Sequence, residues 1–225
     1  EMIMKTKIIY EDNDILVCIK PAGFAVQSAN ISSGDMESEL KSYLKKTTGS
    51  TYLGIVHRLD QPVRGVIVFA KNEMAAAKLS KQVQAGNDKT MGKYYEALVL
   101  GKDIPDEGTL TDYLVKDSKS NSSRVSSESD KQAKKAVLDY KVIERYAEGY
   151  SKVGISLHTG RHHQIRVQMS HAGYPLLGDK KYGGDKVCEI SDKLGIRNVE
   201  LRAVILELIH PATHKKMVFE DKKEL

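Results

Sequence analysis

Tryptophan is missing from this 225-residue sequence and phenylalanine occurs three times, so eleven tyrosines supply most of the aromatic content. Its core must therefore be mainly aliphatic, and each buried tyrosine brings a hydroxyl that needs a partner. Cysteine is nearly absent too. Cys18 and Cys188 stand far apart and form no CxxC pair, which excludes a disulfide framework and a cysteine zinc site and fits two reduced thiols in the cytoplasm. No apolar run approaches the roughly 18 residues of a membrane span. The opening EMIMKTKIIYEDND has no apolar stretch of signal-peptide length. Neither GxxxxGK[ST] nor GxGxxG occurs, nor GxSxG or HExxH. These absences argue against nucleotide hydrolysis, dinucleotide chemistry, a serine hydrolase and a zinc protease.

What is present is basic and well supplied with aliphatic residues. Lys and Arg number 35 against 30 Asp and Glu, a difference of +5, and 40% of residues are hydrophobic. A basic balance is compatible with a polyanionic partner such as nucleic acid. IIYEDNDILVCIK reads as a hairpin around Glu11–Asp14, and Asp35 to Lys46 as a short amphipathic helix. TYLGIVHRL and GVIVFAK read as strands, and a helix runs from the N-cap Asn72 to Gly86. KYYEALVL and TLTDYLV are strands, and AVLDYKVIERY with SKVGISLHT forms a second hairpin. A helical period then runs through Ile165, Met169 and Ala172, and the strands VELRAVILELIHP and KKMVFE follow. Between two of these strands, at about 117–135, KDSKSNSSRVSSESDKQAKK is Ser/Lys-rich and predicts an exposed loop without strand or core helix. The pattern predicts an α+β fold with a mixed, largely antiparallel sheet flanked by helices, as one domain over 1–225.

Two clusters carry chemistry. In HRLDQPVRG a strand period puts Arg58 and Asp60 on one face and His57 and Leu59 on the other. Pro62 stops ladder pairing near Gln61 and leaves Asp60 at a strand end, where Arg58 and Arg64 would keep its carboxylate ionised. LHTGRHHQIRVQMSHAG gathers Arg161, His162, His163, Gln164 and Arg166 at a helix start, a place that favours an anion. His158 and His162 are four apart, but His158 falls in a predicted strand and no acidic ligand accompanies them, so no metal is expected. Of Tyr94 and Tyr95, on opposite faces of one strand, only one can share a pocket with Asp60.

The order of these stretches resembles that of the RluA-type pseudouridine synthases. The likeness runs through YEDNDILVCIKPAG, HRLD, GVIVFAK, Lys93–x–Tyr95–x–Ala97, GRHHQIRVQMSHAGYPLLGDKKYGG and LRAVILELIHPAT, nearly the whole chain. It implies the pseudouridine synthase fold and isomerisation of uridine in ribosomal or transfer RNA without a cofactor; apart from the resemblance, no metal or membrane partner is expected, and a cytoplasmic monomer is the default expectation. It implies Asp60 as the catalytic aspartate, Tyr95 as the tyrosine packed against the target base, and Arg166 as the aspartate's partner. Arg58 is similar to the arginine that fills the space left by a flipped nucleotide. His57, Arg58 and Arg64, with Arg161, His163 and Gln164, are the expected RNA contacts. Asp60 attacking C1′ and Asp60 acting as a base on the ribose both remain open. The sequence departs from many relatives in continuing HRLD with Gln61–Pro62–Val63–Arg64–Gly65, and no small RNA-binding S4 domain is expected ahead of the catalytic one.

Overall fold

The computed structural model describes residues 4–28, 34–85 and 91–223. In chain order these form β1 (Lys7–Glu11), β2 (Ile15–Lys20), α1 (Met36–Thr48), β3 (Gly54–Ile55), β4 (Arg64–Ala70), α2 (Glu73–Gln84), β5 (Gly92–Leu100) and β6 (Glu107–Asp117). Then come β7 (Ser122–Ser126), β8 (Lys134–Arg145), β9 (Tyr150–Leu157), α3 (Gln164–His171), α4 (Gly184–Lys193), β10 (Leu201–Ile209) and β11 (Lys216–Glu220). The chain divides into two compact units, one running up to Lys93 and resuming at Ala203, the other spanning Tyr94–Arg202. It passes between them inside β5 and again inside β10.

In the first unit β2 lies between β1 and β4, antiparallel to both, while β3 pairs with the end of β4 and β11 with β10. All six residues of β2 are buried, so the strand reads ILVCIK, an unbroken apolar run closed by a lysine. Ile15, Val17, Ile19, Val66 and Val68 pack with Ala75 and Leu79 of α2 in one cluster. Both helices begin where the sequence predicts. Asp35 accepts from the Ser38 amide at 2.8 Å, and Asn72 from the Ala75 amide at 2.8 Å. Gly86, the predicted end of α2, lies outside the described residues. Gly65, second in β4, has φ +145, with the carbonyl oxygen of Ala203 only 2.2 Å from where a Cβ would stand. Only glycine lets the two backbones approach so closely.

The second unit is a sheet in the order β5–β9–β8–β6–β7, antiparallel throughout. The helix α3 lies on β6 and β7, with Val167 packed in a cluster with Leu114 and Ala136. Two expectations are corrected here. The Ser/Lys-rich stretch contains a strand, β7, paired with β6 from Tyr113↔Ser126 to Asp117↔Ser122. An edge strand is held by its ladder bonds and needs few apolar residues; Val125 packs against the α3 cluster and Ser123 is buried beside it. The strand expected through HRL ends at Ile55, and His57 to Asp60 lies beyond β3. Its alternation survives nonetheless: His57 and Leu59 are buried, Arg58 is exposed and Asp60 half-buried. The helix α4 was not foreseen from the sequence, although Val187 and Ser191 bury one of its faces.

Candidate active site

Residues of the HRLD stretch lie in the first unit. Asp60 starts a tight turn in which its carbonyl accepts from the Val63 amide at 2.9 Å. That turn is tied to the Lys20–Phe24 segment. Gly23 donates its amide to the Gln61 carbonyl at 2.8 Å, and the Gln61 side chain donates back to the Gly23 carbonyl at 3.1 Å. Beneath both lies Lys20, fully buried, whose Nζ donates to the carbonyls of Pro21 (3.0 Å), Phe24 (2.7 Å) and Gln61 (2.8 Å). Burial pulls its pKa down to about 7, and the negative charge of Asp60 opposes that shift. Lys20 therefore sits close enough to feel the Asp60 carboxylate while bonding the backbone that carries it.

Two residues of this unit expected to contact RNA are bonded into the fold. His57 is only 8% exposed, and its Nε2 accepts from the Val68 amide at 3.1 Å, so the ring braces β4 rather than facing solvent. Burial holds it well below the usual histidine range, reinforced by the charge of Lys93, and it stays neutral. Arg64 forms a two-pronged pair with Asp221, Nε to Oδ2 at 2.7 Å and Nη2 to Oδ1 at 3.0 Å. Since Asp221 is buried, Arg64 fastens the segment after β11 and its guanidinium is committed there. Arg58, by contrast, is exposed.

The second cluster and the tyrosines lie in the second unit. Along β5 Tyr95 is buried at 8% exposure and Tyr94 is 37% exposed, which decides which of them faces inward. At the start of α3, His163 takes a left-handed conformation (φ 53) and ends the loop from Gly160. Gln164, expected to contact RNA, is buried instead. It accepts from Thr159 Oγ1 and the Arg161 amide and donates to the carbonyl of Val137 and to Gln168. Every polar atom of its side chain is thus used in holding the loop before α3. Arg161 is exposed, with Nε donating to the Lys135 carbonyl at 2.9 Å.

Arg166 is buried and gives Nε and Nη2 to Asp179, each at 2.8 Å. Sequence reasoning missed Asp179, though it stands in the GDKKYGG stretch that carries the family likeness. Its Oδ1 also accepts the amides of Lys181 and Tyr182. The Tyr182 ring lies 5.0 Å from the Arg166 guanidinium, and its hydroxyl accepts from the Ser123 amide and bonds His163 Nδ1 at 2.7 Å. His162 bonds Ser123 Oγ at 2.8 Å and Asn121 at 3.1 Å. Burial, followed by neighbouring cations, pushes His162 down to about 4; burial, then Arg166, takes His163 to about 3. This neutral histidine pair fastens the β6–β7 tip to α3. His158 and His171 bond Asp139 and Asp112.

Asp12, Asp14 and His210 bring three ligand-type atoms together in the first unit, a group the sequence did not suggest. Their atoms are already engaged. His210 Nδ1 accepts the amides of Ala212 and Thr213, Nε2 bonds Asp12, and Asp12 Oδ1 accepts the amides of Asp14 and Ile15. The trio is a clasp between two turns.

Residues 14–171 match the family model described as RNA pseudouridylate synthase. The ribosomal large subunit pseudouridine synthase D of Pseudomonas aeruginosa is 35% identical over 225 residues, covering 96% of this chain and 68% of that protein. The ribosomal large subunit pseudouridine synthase C of Buchnera aphidicola subsp. Schizaphis graminum is 36% identical over 211 residues, covering 93% and 65%. The chain thus spans about two thirds of the length of these relatives. Among solved structures, human RNA pseudouridylate synthase domain containing 4 has a TM-score of 0.79 at 24% identity, over 96% of this chain and 88% of that one.

Proposed function

We propose that this chain, which belongs to the RNA pseudouridylate synthase family, isomerises uridine in large-subunit ribosomal RNA, with Asp60 as its catalytic aspartate. The observation that carries this reading is the setting of Asp60. It is a half-buried carboxylate at the start of a turn whose backbone is bonded from below by the buried ammonium of Lys20. Attack on C1′ and removal of a ribose proton both need the ionised form, which a nearby cation favours. The reaction breaks N1–C1′, turns the ring and rejoins it through C5. Electrons and phosphate stay where they are, so no metal or redox cofactor is called for.

Tyr95, the inward tyrosine of β5, packs against the target base; Arg166 serves Asp60, and Asp179 fixes the plane of its guanidinium. Exposed Arg58 enters the space left when the uridine leaves its stack. The matched stretch 14–171 draws on both units, which supports reading residues 1–225 as one catalytic domain. The large-subunit substrate rests on the names of the relatives.

Separate transcripts of large-subunit ribosomal RNA and transfer RNA, each carrying 5-tritiated uridine, test that choice. Tritium release from the ribosomal transcript alone is the expected result. Release from transfer RNA alone would move the substrate to that class.

A further inference from the structure

We propose that Lys93 is a further catalytic residue, whose ammonium donates a hydrogen bond to a uracil oxygen while the detached ring is negatively charged. The inference rests on the reading of Asp60 and Tyr95 given above. Lys93 is half-buried near the start of β5, and among the described residues no carboxylate lies within ion-pair distance of it. Desolvation, with no opposing charge, draws its pKa down to about 8. The described titratable group it acts on is His57, which is neutral. Because His57 Nε2 accepts from the Val68 amide, the imidazole proton sits on Nδ1, which is buried and has no partner among the described residues. Lys93 and His57 thus supply hydrogen-bond donors and no acceptor. A ligand that brings an acceptor to this place gains a charge-assisted hydrogen bond from Lys93 and can satisfy the buried Nδ1 of His57.

Strand geometry favours the base over a phosphate as that acceptor. Lys93 and Tyr95 are two residues apart in β5 and share the inward face, with Tyr94 exposed on the other. Two residues of strand span about 7 Å, close to the width of a pyrimidine ring. A base packed on Tyr95 therefore lies within reach of the lysine on the same face, whereas hydrated phosphates stay at the rim. When N1–C1′ breaks, its electron pair leaves with the ring and the charge is shared among N1, O2 and O4. The charge is lost when C5 bonds to C1′; the C5 proton then leaves and N1 takes one up. Lys93 transfers no proton in this cycle; it steadies the charge through a directed N–H bond, and such a bond is worth most in a site closed to water.

The test uses the full chain, unmodified large-subunit ribosomal RNA transcript with 5-tritiated uridine, and Lys93→Met beside Lys93→Arg. Lys93→Met is expected to slow single-turnover tritium release about a hundredfold, with RNA affinity changed by less than about threefold. Lys93→Arg should recover part of the rate. Near-normal release by Lys93→Met would overturn the proposal. So would a loss confined to affinity with a shallower salt dependence, which marks a phosphate contact. If Lys93→Met fails to fold by thermal melting, the pH dependence of kcat/KM decides. The wild type should lose activity above about pH 8, while Lys93→Arg keeps it. Lys20, which also loses its proton in this range, is common to both proteins. A wild-type profile matching that of Lys93→Arg would overturn the proposal. No release by the wild type from any transcript would remove the underlying reading instead.

Discussion

The Nζ of Lys20 and the backbone carbonyl of Gln61, 41 positions apart in sequence, meet at 2.8 Å. That bond and the two to Pro21 and Phe24 spend all three ammonium protons on carbonyls around the Asp60 turn. Lys20→Met keeps the length of the side chain and leaves three carbonyls short of a donor. It should destabilise the protein by about 2–4 kcal/mol, read from urea unfolding at pH 6.

Acid should unfold the protein earlier than its carboxylates would require. His57, His162 and His163 all have folded pKa values below the unfolded 6.5. The unfolded chain thus binds protons that the folded chain refuses, and stability falls as pH drops from 6.5 toward 4. Urea midpoints between pH 7 and 5 should show this slope, and His162→Gln should make it shallower.

Gly65→Ala adds a Cβ that would stand 2.2 Å from the carbonyl oxygen of Ala203, at a φ of +145 that alanine avoids. A loss of about 3 kcal/mol or more is expected in the thermal or urea melt, because backbone on both sides must shift.

Asp179→Ala should cost about 3–5 kcal/mol, since it removes both hydrogen bonds that Asp179 accepts from the buried Arg166 guanidinium and those from the amides of Lys181 and Tyr182. Tritium release should fall as well, by more than Arg64→Ala causes, because Arg64 is tied to Asp221 at the end of the chain.

How much of this could be read from the sequence varies with the range of the interaction. Both capped helices, α1 and α2, were legible because Asp35 and Asn72 act within three residues of themselves. The alternation of His57 to Asp60 was also legible, and it holds although these residues lie beyond the strand. What that pattern does not tell is whether an inward side chain meets substrate or core, and His57 meets β4. Arg64 looked available because its partner Asp221 is 157 positions away. Gln164 looked polar and therefore exposed, yet all its bonds point into the fold. Asp179 reads as an ordinary loop acid until the helix carrying Arg166 is folded beside it. Serine-rich composition hid β7, because edge pairing is a backbone matter.

The most direct measurement is tritium release from 5-tritiated uridine in unmodified ribosomal RNA by the wild type and by Asp60→Asn, with RNA binding measured on both. Asparagine keeps the shape of the side chain and removes its charge. Release by the wild type, none by Asp60→Asn and similar binding by both is the predicted result. Near-normal release by Asp60→Asn would contradict the assignment of Asp60 as the catalytic carboxylate.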